Sequence, residues 1–366
     1  MDSLSQIVLG AAVGVAVLGR RMGPRRAAIA GGILGTLPDL DVLVRYDDPV
    51  DSFIMHRGWS HSLLVQAAVT PLFGEAMLRL SKALRDQRML TYIAVYLCLS
   101  THALLDAMTI YGTKLLWPLS VQPFAVGSVF IIDALYTLPL LVAMIWALTQ
   151  KDWTPRIGKV VAAGLILSSA YQAWCFTAQQ VVTARAQAFL QQQHIAADRL
   201  LAIPTPFNSY LWRVIALQDR EDRYLNIYMP VFGGPAQTTV YSHPRGTALK
   251  TCLGENAALE KLAWFSRGYY RLDRRPGQGG DEGNDGGDVV LSDLRMGLTP
   301  NYAFQFAING DVPRRLGGSR GTQADIDWLL ANLWHDPVTR RAEVAARLNL
   351  QELHRTVAAN AGDRRC

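Results

Sequence analysis

Long apolar runs dominate the first half of the chain. Six segments, at about 3–19, 26–44, 60–80, 89–110, 128–148 and 157–182, are apolar enough and nearly long enough to cross a bilayer. Such a crossing takes roughly 17–25 helical residues. They predict a polytopic α-helical membrane bundle of about six spans over residues 1–184. From 185 onward the pattern changes. Short alternating stretches at 210–215, 224–228, 289–291 and 302–306 predict strands, and helical spacing appears at roughly 255–266, 323–334 and 337–359. Residues 185–366 therefore read as a soluble α+β domain. Between them, the Gly/Asp tract at 276–288 matches no calcium-loop spacing and reads as a solvated loop. Gly10/Gly14 and Gly31/Gly35 in the first two spans have the spacing that lets helices approach closely in lipid.

Composition agrees with this division. Only 18% of the 366 residues are charged, against about a quarter in ordinary soluble proteins. Residues 1–182 hold 14 Lys+Arg and 11 Asp+Glu, while the remainder holds 22 and 19, so the deficit lies in the apolar half. A single soluble globule is excluded. The net charge of +6 is split among short arginine clusters instead of forming one stripe, so nucleic acid is not an expected partner. No basic segment precedes the first apolar run, which is therefore expected to stay as a membrane helix. Cys98 and Cys175 fall inside apolar runs, and the pattern leaves open whether Cys252 and Cys366 pair.

Lysine and arginine also orient the spans. Arg20, Arg21, Arg25 and Arg26 follow the first, Arg79, Lys82, Arg85 and Arg88 the third, and Lys151, Arg156 and Lys159 the fifth. With six spans these clusters share one side, which the positive-inside rule makes cytoplasmic. The C-terminal domain is then extracytoplasmic.

The candidate chemistry comes from polar residues inside the apolar runs, where ionisable groups are costly and usually functional. They are Asp39 and Asp41, His56 and His61, His102 and Asp106, and Asp133. The charge-derived topology puts all of them at one membrane face. His102 and Asp106, four apart, share one side of a helix. Pro38 favours a break that brings Asp39 and Asp41 to one side. Imidazole with carboxylate suits Zn²⁺, with Mn²⁺ or Fe²⁺ as alternatives, in one or two ions. Arg57 has the planar fork that holds a phosphate or carboxylate. Asp133 reads equally as a helix cap.

Several motifs, in order, carry a family resemblance. Residues 2–14 with their two glycines, Leu37-Pro38-Asp39-Leu40-Asp41, His56-Arg57-Gly58-Trp59-Ser60-His61-Ser62 and His102 with Asp106 resemble the YdjM-like membrane-bound metal-dependent hydrolases. So do Tyr111-Gly112-Thr113, Leu116-Trp117-Pro118 and Ile132-Asp133 with Tyr136-Thr137-Leu138-Pro139. The resemblance covers roughly residues 1–150. It implies a bacterial inner-membrane protein with a metal site at Asp39, Asp41, His56, His61, His102 and Asp106. The family is also described as LexA-binding, inner-membrane-associated hydrolases, although a cytoplasmic repressor could touch only the arginine loops of this topology.

The expected activity is metal-dependent hydrolysis of an ester or phosphoester at the outer face of the membrane. His56, His61, His102 and Asp106 are the expected metal ligands. Asp39 or Asp41 would serve as further ligands or as general base, and Arg57 would hold the anionic group. Headgroup depth favours a lipid or lipid-linked substrate. The competing expectation is a non-catalytic membrane scaffold or partner-binding protein whose metal is structural.

Overall fold

Apolar runs become helices here until a proline or a capping carboxylate stops them. The computed structural model describes residues 1–276, 287–318, 321–334 and 338–348. Its first helices are α1 (Ser3–Met22), α2 (Pro24–Thr36), α3 (Pro49–Met55), α4 (Leu63–Leu80), α5 (Arg88–Ala107), α6 (Ala134–Thr149) and α7 (Pro155–Gln192). Four of these, α1, α4, α5 and α7, are long and apolar enough to cross a membrane. By this measure the expected six spans reduce to four.

The other two fall short for local reasons. α2 ends at Thr36, where Pro38 opens a 3-10 turn over Leu37–Leu43. Its 13 residues rise only about 20 Å, against a hydrocarbon core of about 30 Å. α6 begins late because Asp133 caps it, accepting from the Leu135 and Tyr136 amides at 3.0 and 3.3 Å. Asp133 also takes the Tyr171 hydroxyl at 2.9 Å. α7 has no proline beyond its first residue and runs for 38 residues, past the expected end at 182.

Close packing of α1 on α2 sets the geometry of the bundle. A Cβ added to Gly31 would lie 2.2 Å from the Gly10 carbonyl oxygen, and one on Gly14 would lie 2.5 Å from that of Ala27. Both glycine pairs are therefore used for backbone contact, as small residues are in lipid. The contact fixes the end of α2, and with it the turn that carries Asp39 and Asp41.

The chain folds as two compact units. The first comprises Met1–Arg45, Met55–Thr177 and Pro206–Asn208; the second comprises Tyr46–Ile54, Ala178–Thr205 and the described residues of Ser209–Cys366. In the second unit an antiparallel meander is built from β1 (Arg199–Pro204), β2 (Leu211–Gln218), β3 (Arg223–Pro230) and β4 (Thr239–Pro244). Then follow α8 (Ala257–Phe265), β5 (Tyr270–Arg275), β6 (Asp288–Asp293), β7 (Gly297–Leu298), β8 (Asn301–Tyr302), β9 (Gln305–Ala307), β10 (Arg314–Leu316) and α9 (Gln323–Trp334). A second sheet has the order β10-β9-β6-β5, and β7 and β8 make a small hairpin. The strand expected at 302–306 is thus split between β8 and β9.

The segment Tyr46–Ile54 folds into this second unit through Phe53. That ring is 4% exposed and sits 4.8, 4.5 and 5.3 Å from the rings of Phe265, Phe304 and Phe306. Lys261 adds an ion pair to Asp51 at 2.6 Å.

The helix expected at 337–359 appears, within 338–348, only as a 3-10 turn over Arg341–Ala346. After this turn the chain pairs with β4, where the Leu348 amide donates to the Val240 carbonyl at 2.9 Å. Arg340 and Glu343, three apart, turn inward together. Glu343 accepts from Tyr228 at 2.8 Å, pairs with His243 at 2.8 Å and with Arg340 at 3.0 Å. Burial alone would raise the Glu343 carboxyl, but the His243 hydrogen bond and the Arg340 charge outweigh it and hold it below its ordinary value. Residues 277–286 of the Gly/Asp tract, the rest of the expected C-terminal helix, and Cys366 with its pairing to Cys252 lie outside the described residues.

Candidate metal centre

Three elements of the first unit bring four donor side chains together. Asp39 comes from the turn after α2, His61 from a 3-10 turn over Trp59–His61, and His102 and Asp106 from successive turns of α5. Ser62 anchors the His61 turn by capping α4 and donating to the Trp117 carbonyl at 2.5 Å. One ligand atom from each of the four residues lies within 4.8 Å of the other three, a group that could hold a metal ion. His61, His102 and Asp106 are fully buried, and Asp39 keeps 28% of its side chain exposed.

Hydrogen bonds on the far ring nitrogens fix the imidazole tautomers. His102 Nδ1 is 2.6 Å from the Gly35 carbonyl oxygen. That oxygen can only accept, so Nδ1 carries the proton and Nε2 of the neutral ring is a bare lone pair. Ser60 Oγ donates its one proton to Asp41 Oδ2 at 2.8 Å and so accepts from His61 Nδ1 at 2.9 Å. Nε2 of His61 is then bare as well. The two Nε2 atoms nevertheless face each other at 3.1 Å.

Asp39 Oδ1 stands 3.5 and 3.4 Å from these nitrogens, and Asp106 Oδ2 stands 3.3 and 3.5 Å from them. Asp106 Oδ2 makes no well-aligned hydrogen bond among the described residues, although the Arg57 guanidinium pairs with it at 3.0 Å. With both rings neutral these four atoms are all acceptors, with that guanidinium as the neighbouring cation, and a metal ion between them would relieve their mutual repulsion. A tetrahedral site with ligand bonds near 2.0–2.1 Å separates its donor atoms by about 3.3 Å. The residues present fit a small divalent ion.

The comparisons with known proteins bear on this half of the chain. Residues 1–182 match the sequence model of the YdjM inner membrane protein family. They belong to that family. The chain is also 36% identical over 110 residues to inner membrane protein YbcI of Escherichia coli (strain K12). That match takes in 29% of this chain and 62% of YbcI, so less than two thirds of the relative is covered. No solved structure matches.

In this YdjM-family region the remaining expected site residues form a layer beside the four donors. Asp41 does not join them. Its carboxylate accepts from the Arg57 amide at 2.8 Å and from Ser60, and it pairs with His56 Nδ1 at 2.8 Å. His56 is thus drawn to Asp41 and away from the donor cluster. Arg57 has a left-handed backbone, with φ of 60°, a conformation that costs energy in a side-chain-bearing residue and gathers at functional sites. Its guanidinium is buried: Nε lies 3.0 Å from Asp106 Oδ2, Nη1 donates to Thr109 at 3.2 Å, and the group stacks 5.0 Å from the Tyr111 ring centroid.

Four contributors were not among the expected site residues. Gln6 of α1 is fully buried and donates to Asp106 Oδ1 at 2.9 Å, and the Met1 amine contacts the same oxygen. A lone glutamine in an apolar run was the available signal for Gln6. The Gly35 carbonyl and the Ser60 hydroxyl, which set the two tautomers, leave no such mark.

Proposed function

We propose that this chain is a membrane-bound metal-dependent hydrolase with one divalent ion held by Asp39, His61, His102 and Asp106. The observation that carries the reading is the convergence of two imidazole nitrogens and two carboxylate oxygens, all within 4.8 Å of one another. Two imidazoles with two carboxylates suit Zn²⁺ best, with Mn²⁺ or Fe²⁺ as alternatives. When bound, such an ion supplies an activated water and polarises an ester or phosphoester oxygen.

The chain's own groups then have separate tasks. Arg57 binds the anionic part of the substrate beside the donors. Asp41 orients His61 through Ser60 and holds the His56 ring by its Nδ1, leaving His56 Nε2 to exchange protons. Asp39, the most exposed donor, marks the side from which substrate enters. In the six-span topology, in which the short helices α2 and α6 also cross, residues 1–184 are the membrane domain and 185–366 an extracytoplasmic domain, the three arginine-rich loops face the cytoplasm and the centre lies at the outer face. That depth favours a lipid or lipid-linked ester or phosphoester.

One feature supports the scaffold reading: four protein donors already complete a tetrahedral shell, which is the arrangement of structural zinc. The discriminating experiment screens the purified, metal-loaded chain against lipid esters and lipid phosphoesters, with Asp106→Asn and Arg57→Lys alongside. Hydrolysis by wild type that falls on the order of 10–100-fold in Asp106→Asn supports catalysis. No turnover by wild type, with both variants still complementing a deletion strain, would sink the hydrolase reading in favour of the scaffold.

A further inference from the structure

The second unit contains a cleft of about 530 Å³ that the metal chemistry does not use. β5 supplies Arg271, Asp273, Arg274 and Arg275 to it, and β8 and β9 supply Asn301 and Gln305. Arg271, Asp273 and Arg275 are two apart in a strand and therefore share one face. Their charges do not balance. Asp273 contacts Arg271 and also lies 3.8 Å from Arg275, so one carboxylate serves two guanidinium groups.

Elsewhere in this unit Arg295, Arg314 and Arg340 each face a carboxylate, at 2.7, 2.8 and 2.6 Å. Arg275 is further held by Gln305 Oε1 at 3.2 Å, and Arg271 by the Tyr224 hydroxyl at 3.5 Å. Both partners are neutral, so they order the guanidinium groups and leave the charge in place. Arg274 is exposed and has no side-chain partner among the described residues. Two cations and one anion thus share the strand face toward the cleft, both cations already positioned, while Arg274 leaves β5 on the opposite face.

We propose that this cleft binds an anionic, hydroxyl-rich small molecule, a sugar bearing a phosphate or a carboxylate. Arg271 and Arg275, which share one strand face, take the anionic group, since guanidinium forks match both anions in geometry. The volume is in the range of small-molecule sites and exceeds what a bare anion fills. The Asn301 amide donates to Asp325 at 3.3 Å, which leaves its carbonyl oxygen for a ligand hydroxyl.

The test is calorimetric titration of the full chain in a sugar-free detergent with glucose 6-phosphate, glucuronate, inorganic phosphate and uncharged glucose. At least one anionic sugar should bind saturably and more tightly than inorganic phosphate, and glucose should not bind. The tighter of the two anionic sugars identifies phosphate or carboxylate as the preferred group. Arg271→Gln with Arg275→Gln should weaken that binding about 10-fold or more, the loss expected for a charge-assisted hydrogen bond. Arg275→Gln alone should show part of the loss, and Arg274→Gln, at an exposed position on the opposite strand face, should leave both binding and melting temperature unchanged. His61→Ala should leave the binding intact. The proposal is overturned if no anionic probe binds wild type, or if inorganic phosphate binds as tightly as either sugar. It is equally overturned if His61→Ala abolishes binding that the arginine variants retain.

Discussion

At the scale of single residues, the centre depends on which nitrogen of each imidazole carries the proton. His102 is set by a backbone carbonyl and His61 by the Ser60 hydroxyl. Ser60 is therefore a positioning residue. Ser60→Ala should keep the fold, because the side chain is only partly buried, but should lower metal affinity on the order of 10–100-fold, as loss of a ligand's hydrogen-bond partner does. Ser60→Thr should restore most of it. Chelator competition measures this, and equal affinity in wild type and Ser60→Ala would remove the hydroxyl from the account. All four converging residues were legible in the sequence as polar groups inside apolar runs. The separation of His61 from His56 was not. It depends on the left-handed turn at Arg57, and spacing arguments assume a regular backbone that this residue does not have.

At the scale of elements, the apolar runs were legible and their lengths were not. Pro38 and Asp133 cut two of them to 13 and 16 helical residues. A hydropathy pattern counts apolar positions whether or not the backbone stays helical through them. The arginine clusters after α1, α4 and α6 share one side only where α2 and α6 also cross; with α1, α4, α5 and α7 as the only spans, the clusters after α1 and α4 fall on opposite sides, so the sidedness argument rests on the six-span topology. Reporter fusions after Arg85 and Pro155 should read cytoplasmic, and a fusion after Lys250 should read extracytoplasmic. A cytoplasmic signal at Lys250 would place the second unit, and with it the proposed cleft, on the other side of the membrane.

At the scale of the whole molecule, two units of different character share one chain, and one exchange between them could not be read from sequence. Tyr46–Ile54 joins Asp41 to His56, yet it folds with the second unit through Phe53. Its short polar and apolar mix reads locally as a loop, and only three aromatic residues more than two hundred positions away explain its burial. The metal centre itself lies wholly within the first unit, on residues that belong to the YdjM inner membrane protein family. Its occupancy is the central claim, and elemental analysis of the purified full-length chain tests it directly. Wild type should carry about one divalent transition-metal ion per chain, as a single four-donor site holds. His61→Ala combined with His102→Ala should lose that ion while keeping its helicity and detergent-soluble yield. Equal metal content in the two proteins, or none in wild type grown with zinc, manganese and iron available, would contradict the account.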